Sequence, residues 1–381
     1  MANTLTNLIP DMYQGLDLVA RELVGFIPAV DLNAEATQAG LNDTIYIPQT
    51  QSQTASDITP GQVAPDTGDQ TIDNTTMTLD KAREVPIRWN GEQQKSYMRN
   101  GTWVSTFADQ FSQAVRTLVN EMEADIASEY YKASRAYGTA GTTPFAASLA
   151  DINNVRKILV DNGAPTNDLQ LVVDTAAGLN LRNLTNLNQV NTAGSDATLR
   201  NGVLLPISGF DVRESAQIQS HTKGTATGFD ANGGEPAGET TIVVDGSDSG
   251  TILAGDVVTW VGDTNKYIVQ SATASGAATG NIVIAKPGLQ ATLADTVEGT
   301  IGNNYTANLA FHRSAIKLAT RAYKMPEGGD MADDIMTITD PITGITFTVA
   351  AYKQYKRVHY EVSAVWGVSL IKPEFAAILL G

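Results

Sequence analysis

The chain has 381 residues, no cysteine, only three histidines, and aromatics at 7 % of its length. Without cysteine there is no disulfide, no thiolate ligand for a metal and no thiol nucleophile. The histidines, His221, His312 and His359, lie far apart, and none falls in a His-x-x-x-His or His-Glu-x-x-His spacing. That argues against a metal site. Phosphate-binding loops of the Gly-x-x-x-x-Gly-Lys-Ser/Thr and Gly-x-Gly-x-x-Gly kinds are missing, as is a Gly-x-Ser-x-Gly nucleophile elbow. His312, in Leu309-Ala-Phe-His-Arg313, is read as a structural histidine satisfied by backbone or a carboxylate. Basic charge is also scarce. Lys and Arg number 25 against 41 Asp and Glu, a formal net charge of −16. Tight binding to a phosphate backbone needs clustered cations, so the balance argues against it. No apolar run reaches membrane-spanning length. The start, Met1-Ala-Asn-Thr-Leu-Thr-Asn7, lacks the basic and apolar regions of a signal peptide. The expectation is a chain without cofactor or membrane partner, not an enzyme, made and used in a cytoplasm.

What the chain does contain is a sequence of contrasting textures. Residues 4–27 read as an amphipathic helix, with Leu16, Val19, Ala20, Leu23, Val24 and Ile27 at helical spacing and Pro28 ending it. Thr44 to Pro48 reads as a strand, 49–71 as a polar excursion, and Thr75 to Ile87 as the returning strand: an extended hairpin. Between Asp43 and Asp80 stand Asp57, Asp66, Asp69 and Asp73, with no Lys or Arg. Basic residues begin at Lys81 and continue through Arg83, Arg88, Lys95 and Arg99. An acidic hairpin beside a basic base can pair between neighbouring copies, through Asp57, Asp66 and Asp69 on one and Arg83, Arg88 or Arg99 on the next.

Residues 101–137 carry the strongest helical stripe, Trp103, Phe107, Phe111, Ala114, Val115, Leu118, Val119, Met122 and Ile126. Asp109, Arg116, Glu121, Glu123 and Glu129 fall mainly off it, and Gly138 is the expected stop. From 148 to 215 helix and strand alternate: a helix from Ser148 and Asp151 through Val160, a buried strand at Leu169–Val173, and a helix from Asp174 to Leu187. Strands follow at Val203–Ile207 and Phe210–Val212. Residues 222–305 turn rich in Thr, Gly, Ala and Val. Short strands are expected at Thr240–Val244, Val257–Val261, Tyr267–Val269 and Asn281–Ile284, at barrel or sandwich spacing. A β-module between two halves of another domain is an insertion, and it is expected to fold independently. After it come a short helix at Ser314–Ala322 and strands at Ile335–Thr339, Ile345–Ala350 and Arg357–Val365. The chain closes on Trp366-Gly, a Lys372-Pro373-Glu374 turn and an apolar tail that reads as docked, since free ends are usually polar.

This order of elements resembles the tailed-phage major capsid proteins of the Hong Kong 97 fold. The resemblance is carried by Asp43-Thr-Ile-Tyr-Ile-Pro48, Asn308-Leu-Ala-Phe-His-Arg313, and Trp366-Gly through Pro373-Glu374. The insertion makes it similar to the short-tailed Salmonella-phage coat type, which carries an inserted β-barrel. The resemblance implies an α+β fold with an N-terminal arm (1–41), an extended hairpin loop (42–95) and a peripheral domain with a spine helix (96–149). It further implies an axial domain in two parts (150–221 and 306–381) around an inserted barrel (222–305). It implies self-association into pentamers and hexamers of an icosahedral shell, assembled in a host bacterial cytoplasm and ending as a virion capsid. A scaffolding protein, a portal and double-stranded DNA held without sequence-specific contact would be its partners. Asp11, Asp17 and Glu22 of the arm are the candidates for meeting a basic scaffolding protein. Some relatives weld their shells through a Lys on the hairpin loop, and the run from Asp43 to Asp80 has none. An encapsulin-type bacterial shell protein is the alternative on the same fold. A secreted β-rich adhesin or surface-layer protein is the alternative from another class.

Overall fold

The computed structural model describes residues 24–49, 73–99, 103–189, 206–245, 250–273, 280–340 and 343–381, with single residues at 55, 57, 58, 60, 202 and 204. The first elements are strands β1 (Asp31–Ala39), β2 (Thr44–Gln49), β3 (Asp73–Thr78) and β4 (Lys81–Asn90), then helices α1 (Gly91–Arg99) and α2 (Trp103–Ser128). A 3₁₀ turn at Glu129–Lys132 leads to β5 (Arg135–Tyr137). Next come α3 (Ala150–Asp161), β6 (Leu169–Val173), α4 (Thr175–Asn183), α5 (Thr185–Asn188), β7 (Phe210–Glu214) and β8 (Ser220–His221). Six strands follow: β9 (Phe229–Ala231), β10 (Thr241–Asp245), β11 (Val257–Trp260), β12 (Lys266–Ala272), β13 (Gly280–Ile284) and β14 (Glu298–Ile301). The chain ends with β15 (Tyr305–His312), β16 (Ile316–Tyr323), β17 (Asp334–Thr339), β18 (Thr346–Gln354), β19 (Arg357–Leu370) and β20 (Ala376–Leu380).

The apolar stripe of α2 dictates the packing of the first layer. Phe107, Phe111, Val115, Leu118, Met122 and Ile126 are buried, and the helix lies on the face of a sheet ordered β1-β16-β19-β18-β17, with β4 also on β19. Phe107 meets Tyr360 of β19 edge to face, ring centroids 4.9 Å apart. A second sheet runs β5-β20-β15-β6-β7. Inside it lies β20, all five residues buried, antiparallel to β15 and parallel to β5. α3, α4 and α5 cover it through Ile152, Val155, Leu159, Leu181 and Leu187. Asp174 caps α4 by accepting from the Ala177 N–H at 2.9 Å, which satisfies a donor the first helical turn leaves free.

The six strands β11-β14-β9-β10-β13-β12 close on themselves, because β11 also pairs with β12. Every pair round the ring is antiparallel, so the inserted segment is a closed barrel with no free edge. Phe229, Trp260, Ile242 and Ile282 fill it. Gly299 must be glycine, since a Cβ there would lie 2.2 Å from the Phe229 ring. The barrel is not held by its two chain connections alone. β12 pairs with β5 through Lys266↔Ala136 and Tyr267↔Arg135, so hydrogen bonding runs from the barrel into the second sheet.

Several expectations are corrected. The predicted helix over 4–27 falls outside the described residues up to 23, and its end, residues 24–27, is not helical. The spine helix stops at Ser128, not near Gly138, because β5 is taken up as a strand beside β20. The returning strand 75–87 is two strands. β3 pairs with β2, and after Leu79-Asp80 the chain crosses to pair with β19 as β4. The predicted helix 314–322 is a 3₁₀ turn, Arg313–Ala315, followed by β16. Its helical spacing loses to two partners, β1 on one side and β19 on the other. The helix 174–187 breaks at Leu184 into α4 and α5. Of the strand 203–207, the described residues show a single bridge, Ile207 with Phe210. β1 and α1 were not foreseen.

Candidate assembly surfaces

Glu123 fixes the root of the N-terminal arm. It was expected off the apolar stripe of α2, yet it is 1 % exposed. Its carboxylate accepts the N–H groups of Gly25 at 2.6 Å, Phe26 at 2.7 Å and Ile27 at 2.9 Å. Burial pushes its pKa above the ordinary carboxylate range, against those backbone hydrogen bonds and one with Ser215, which pull the other way. Gly25 sits where a Cβ would be 2.6 Å from the Glu214 carbonyl oxygen. Phe26 stacks on Phe311 of β15 at 6.4 Å. The chain between arm and first sheet is thus clamped on three elements: α2, the end of β7, and β15. A run of Asp or Glu off a stripe gives no sign of this, because three donors from residues nearly a hundred positions away supply it.

The hairpin base is built on the Trp366-Gly367 pair. Trp366 is fully buried, and its indole N–H donates to Asp125 of α2 at 2.8 Å. A Cβ on Gly367 would lie 2.1 Å from the Thr78 carbonyl oxygen, so only glycine lets the hairpin cross β19 there. Met77, Leu79, Ala319 and Val365 form a small apolar cluster under the crossing. Asp125 and Glu121 of α2 also hold the two cations that open β4. Lys81 meets Asp125 at 2.8 Å, and Arg83 meets Glu121 at 3.0 Å. The Asp125 hydrogen bond holds the Lys81 ammonium above the usual lysine range.

Among the described residues the hairpin pairs with no further strand, and it meets the rest of the chain through Ile45 and Ile47 on the small apolar cluster and through Gln49, whose amide donates to the Ile371 carbonyl at 3.4 Å. β2 alternates exposed and half-buried residues throughout, and its sheet contains only β2 and β3. Tyr46 is 69 % exposed and Ile58, in the loop, 95 %. Asp57 is exposed; Asp66 and Asp69 lie outside the described residues. Of the basic candidates, Arg83 is taken by Glu121, and Arg88 donates from Nε to His359 Nδ1 at 3.2 Å. The side chain of Arg99 lies outside the described residues, as do Asp11, Asp17 and Glu22. Among the described residues, Asp57 meets neither Arg83 nor Arg88 within the chain; the predicted pairs are contacts between copies.

The barrel root carries a buried polar cluster that the sequence did not announce. Asp256 is fully buried and faces His221 Nε2 at 2.8 Å. It also accepts the N–H groups of Gly224 at 2.9 Å and Leu253 at 2.7 Å. His221 Nδ1 meets the Tyr130 hydroxyl at 2.9 Å, and Tyr305 donates to the Gly255 carbonyl at 2.6 Å. Burial first, then the Asp256 charge, raises the Tyr130 pKa. These bonds fasten the barrel to the end of the spine and to β15. His312 meets a backbone group, one of the two kinds of partner expected of it. Its Nδ1 accepts from the Ser314 N–H at 3.2 Å and lies 2.8 Å from the Ser314 hydroxyl. Among the described residues no group of three His, Cys, Asp or Glu could hold a metal ion. No described helix is long and apolar enough to cross a membrane.

No family model matches the chain, and no curated protein matches it. Among solved structures it is similar to the capsid of the cyanophage P-SCSP1u, at 13 % identity and a TM-score of 0.50, over 94 % of this chain and 88 % of that one. It is also similar to the mature capsid of bacteriophage PhiM1, at 13 % identity and a TM-score of 0.46, over 93 % and 86 %. The virus-like particle from Pyrococcus furiosus aligns at 9 % identity and a TM-score of 0.43, over 99 % and 100 %. The cyanophage likeness, over nearly the whole of both chains, shows the fold: α+β of the Hong Kong 97 type, here with an inserted barrel.

Proposed function

We propose that the chain is the major capsid protein of a tailed phage and assembles with copies of itself into the icosahedral shell around the genome. The observation that carries this reading is the likeness to a phage capsid over almost the full length. The hairpin supports it: a two-stranded arm with exposed apolar residues gains its stability from a surface outside the subunit. In this reading 1–41 is the arm, 42–95 the extended loop and 96–149 the peripheral domain. Residues 150–221 and 306–381 form the axial domain, and 222–305 is the inserted barrel. Copies meet as pentamers and hexamers. A scaffolding protein would engage the arm through Asp11, Asp17 and Glu22, a portal would occupy one vertex, and DNA would be enclosed without sequence-specific contact. Assembly takes place in the bacterial cytoplasm, and the product is the virion shell. The subunit works by association, so the reading assigns it no catalytic residue. Negative-stain electron microscopy of the purified chain tests this. Closed shells several hundred ångströms across are expected; uniform monomers under all assembly conditions would overturn it.

A further inference from the structure

A strand with one neighbour shows a row of unpaired N–H and C=O groups to whatever lies beside it. Three edges of the large sheets are blunted against that. β4 contains Pro86, which has no N–H to offer. β1 loses its register against β16 between Ala34 and Gln38, a break that bends an edge away. β7 ends the second sheet and carries Asp211, Arg213 and Glu214 among its five residues.

β17 is built differently. It ends the first sheet and pairs with β18 alone. Its six residues, Asp334-Ile-Met-Thr-Ile-Thr339, match β18 one for one, without a bulge. They include no proline and no cation, and the one charge, Asp334, stands at the first position. Ile335 and Met336 are exposed, and Met331, in the loop just before the strand, is 89 % exposed. A straight edge of this kind is a template for one more strand.

Its surroundings set the charge of what it accepts. From Met325 to Tyr352 the acids are Glu327, Asp330, Asp333, Asp334 and Asp340, and there is no Lys or Arg. Asp340 is buried beyond the far end of the strand, whereas Glu327, Asp330 and Asp333 are exposed where β17 begins. Among the described residues the one ion pair in this group is Asp333 with Lys353, at 2.6 Å. A second copy of the chain, with a net charge of −16, is repelled from such an edge.

We propose that the free edge of β17 accepts an added strand from another protein, an extended segment in which apolar residues alternate with lysine or arginine. Main-chain hydrogen bonds to β17 hold the segment, and its alternate side chains select it. Its apolar residues lie beside Met336, on the face where Ile338 is buried. Its cations meet the acids at the start of β17. The proposal goes beyond the shell reading and needs only one folded subunit.

The probe is a short, end-capped, fluorescent peptide alternating lysine and valine, titrated onto the full chain and followed by anisotropy. Two variants carry Ile335→Pro and Met336→Pro. Neighbouring residues of a strand point their N–H groups to opposite sides, so one change removes a donor from the free edge and the other breaks the ladder to β18. Thermal melting tells which is which. Saturable binding is expected, weakening as salt is raised. The edge proline should reduce it about tenfold, and Glu327→Gln with Asp334→Asn should reduce it too. In hydrogen exchange the bound peptide should slow amides of 335–339. A matching peptide of glutamate and valine should not bind. The double acid variant and the exchange pattern carry the test if both proline chains unfold. No saturable binding at low salt would overturn the proposal, as would equal binding of the two peptides, or an edge-proline chain that binds like the parent. A chain that dimerises by itself in sedimentation, and ceases to with the edge proline, makes a second copy the occupant and overturns it as well. None of these outcomes touches the shell reading.

Discussion

β20 and the β2–β3 hairpin are both short, and they sit in opposite circumstances. β20 has a strand on each side and all five of its residues buried. The buried side chain of Asn308 donates to the Leu379 carbonyl at 3.1 Å, and its amide oxygen accepts from Asp174 at 2.7 Å. β2 and β3 have only each other, and β2 has no buried residue. A strand in the first position is held by its own subunit. One in the second can persist as an ordered arm only if another surface completes it. On the proposed shell reading, the difference separates residues that specify the subunit from residues that specify the assembly.

Disturbing the first kind should have the largest effect. Removing 376–381 takes a fully buried interior strand from the second sheet, and no soluble folded monomer is expected in circular dichroism and sedimentation. Leu379→Ala should cost about 2–5 kcal/mol in a denaturant titration, the range for emptying a buried leucine site. Glu123→Ala strands three buried N–H groups. It should destabilise by on the order of 3 kcal/mol, whereas Glu123→Gln, which keeps one acceptor, should cost less.

A smaller effect with a defined sign comes from Glu361 on β19. Burial first, then the neighbouring Glu84, raises its pKa above the ordinary value of 4.5. The folded state therefore holds this proton more tightly than the unfolded chain. Stability is lost as pH rises through the interval between the two values. Glu361→Gln should stabilise the subunit at neutral pH by up to about 1 kcal/mol. The gain should vanish as the pH approaches 4.5, read as the difference in melting temperature between variant and parent.

Smallest of all in the monomer should be the hairpin acids. Asp57→Asn, Asp66→Asn and Asp69→Asn together should leave its melting unchanged. The same triple change should weaken shells, each pair contributing about 0–1 kcal/mol, with the difference shrinking at high salt. Mature particles, boiled and run on a denaturing gel, should give one band near 40 kDa, since the hairpin has no lysine to form an isopeptide bond. A covalent ladder would show another nucleophile at work.

The sequence made the local signals legible. Short strand-like runs between turns marked β2 and four of the six barrel strands, though not β9 or β14, the apolar tail read as a docked end, and Asp174 read as a helix start. Its failures share one cause: a distant partner decided the outcome. Ile316–Tyr323 has helical spacing but lies between β1 and β19. The last turns predicted for the spine helix are drawn into the sheet by β20. Glu123 is charged, and by composition belongs outside, yet it finds three backbone donors inside. The hairpin's acidity was plain, but which cations remain free to meet it was not. That depends on Glu121 and His359, which lie far away in sequence and occupy Arg83 and Arg88 first.

Hydrogen exchange of monomer and assembled particle, compared residue by residue, tests the contrast most directly. The account predicts that β20 amides are strongly protected in both states. The amides of 44–49 and 73–78 should exchange fast in the monomer and become protected only in the particle. Equal protection of the hairpin in monomer and particle would contradict it, and so would a hairpin left unprotected in both.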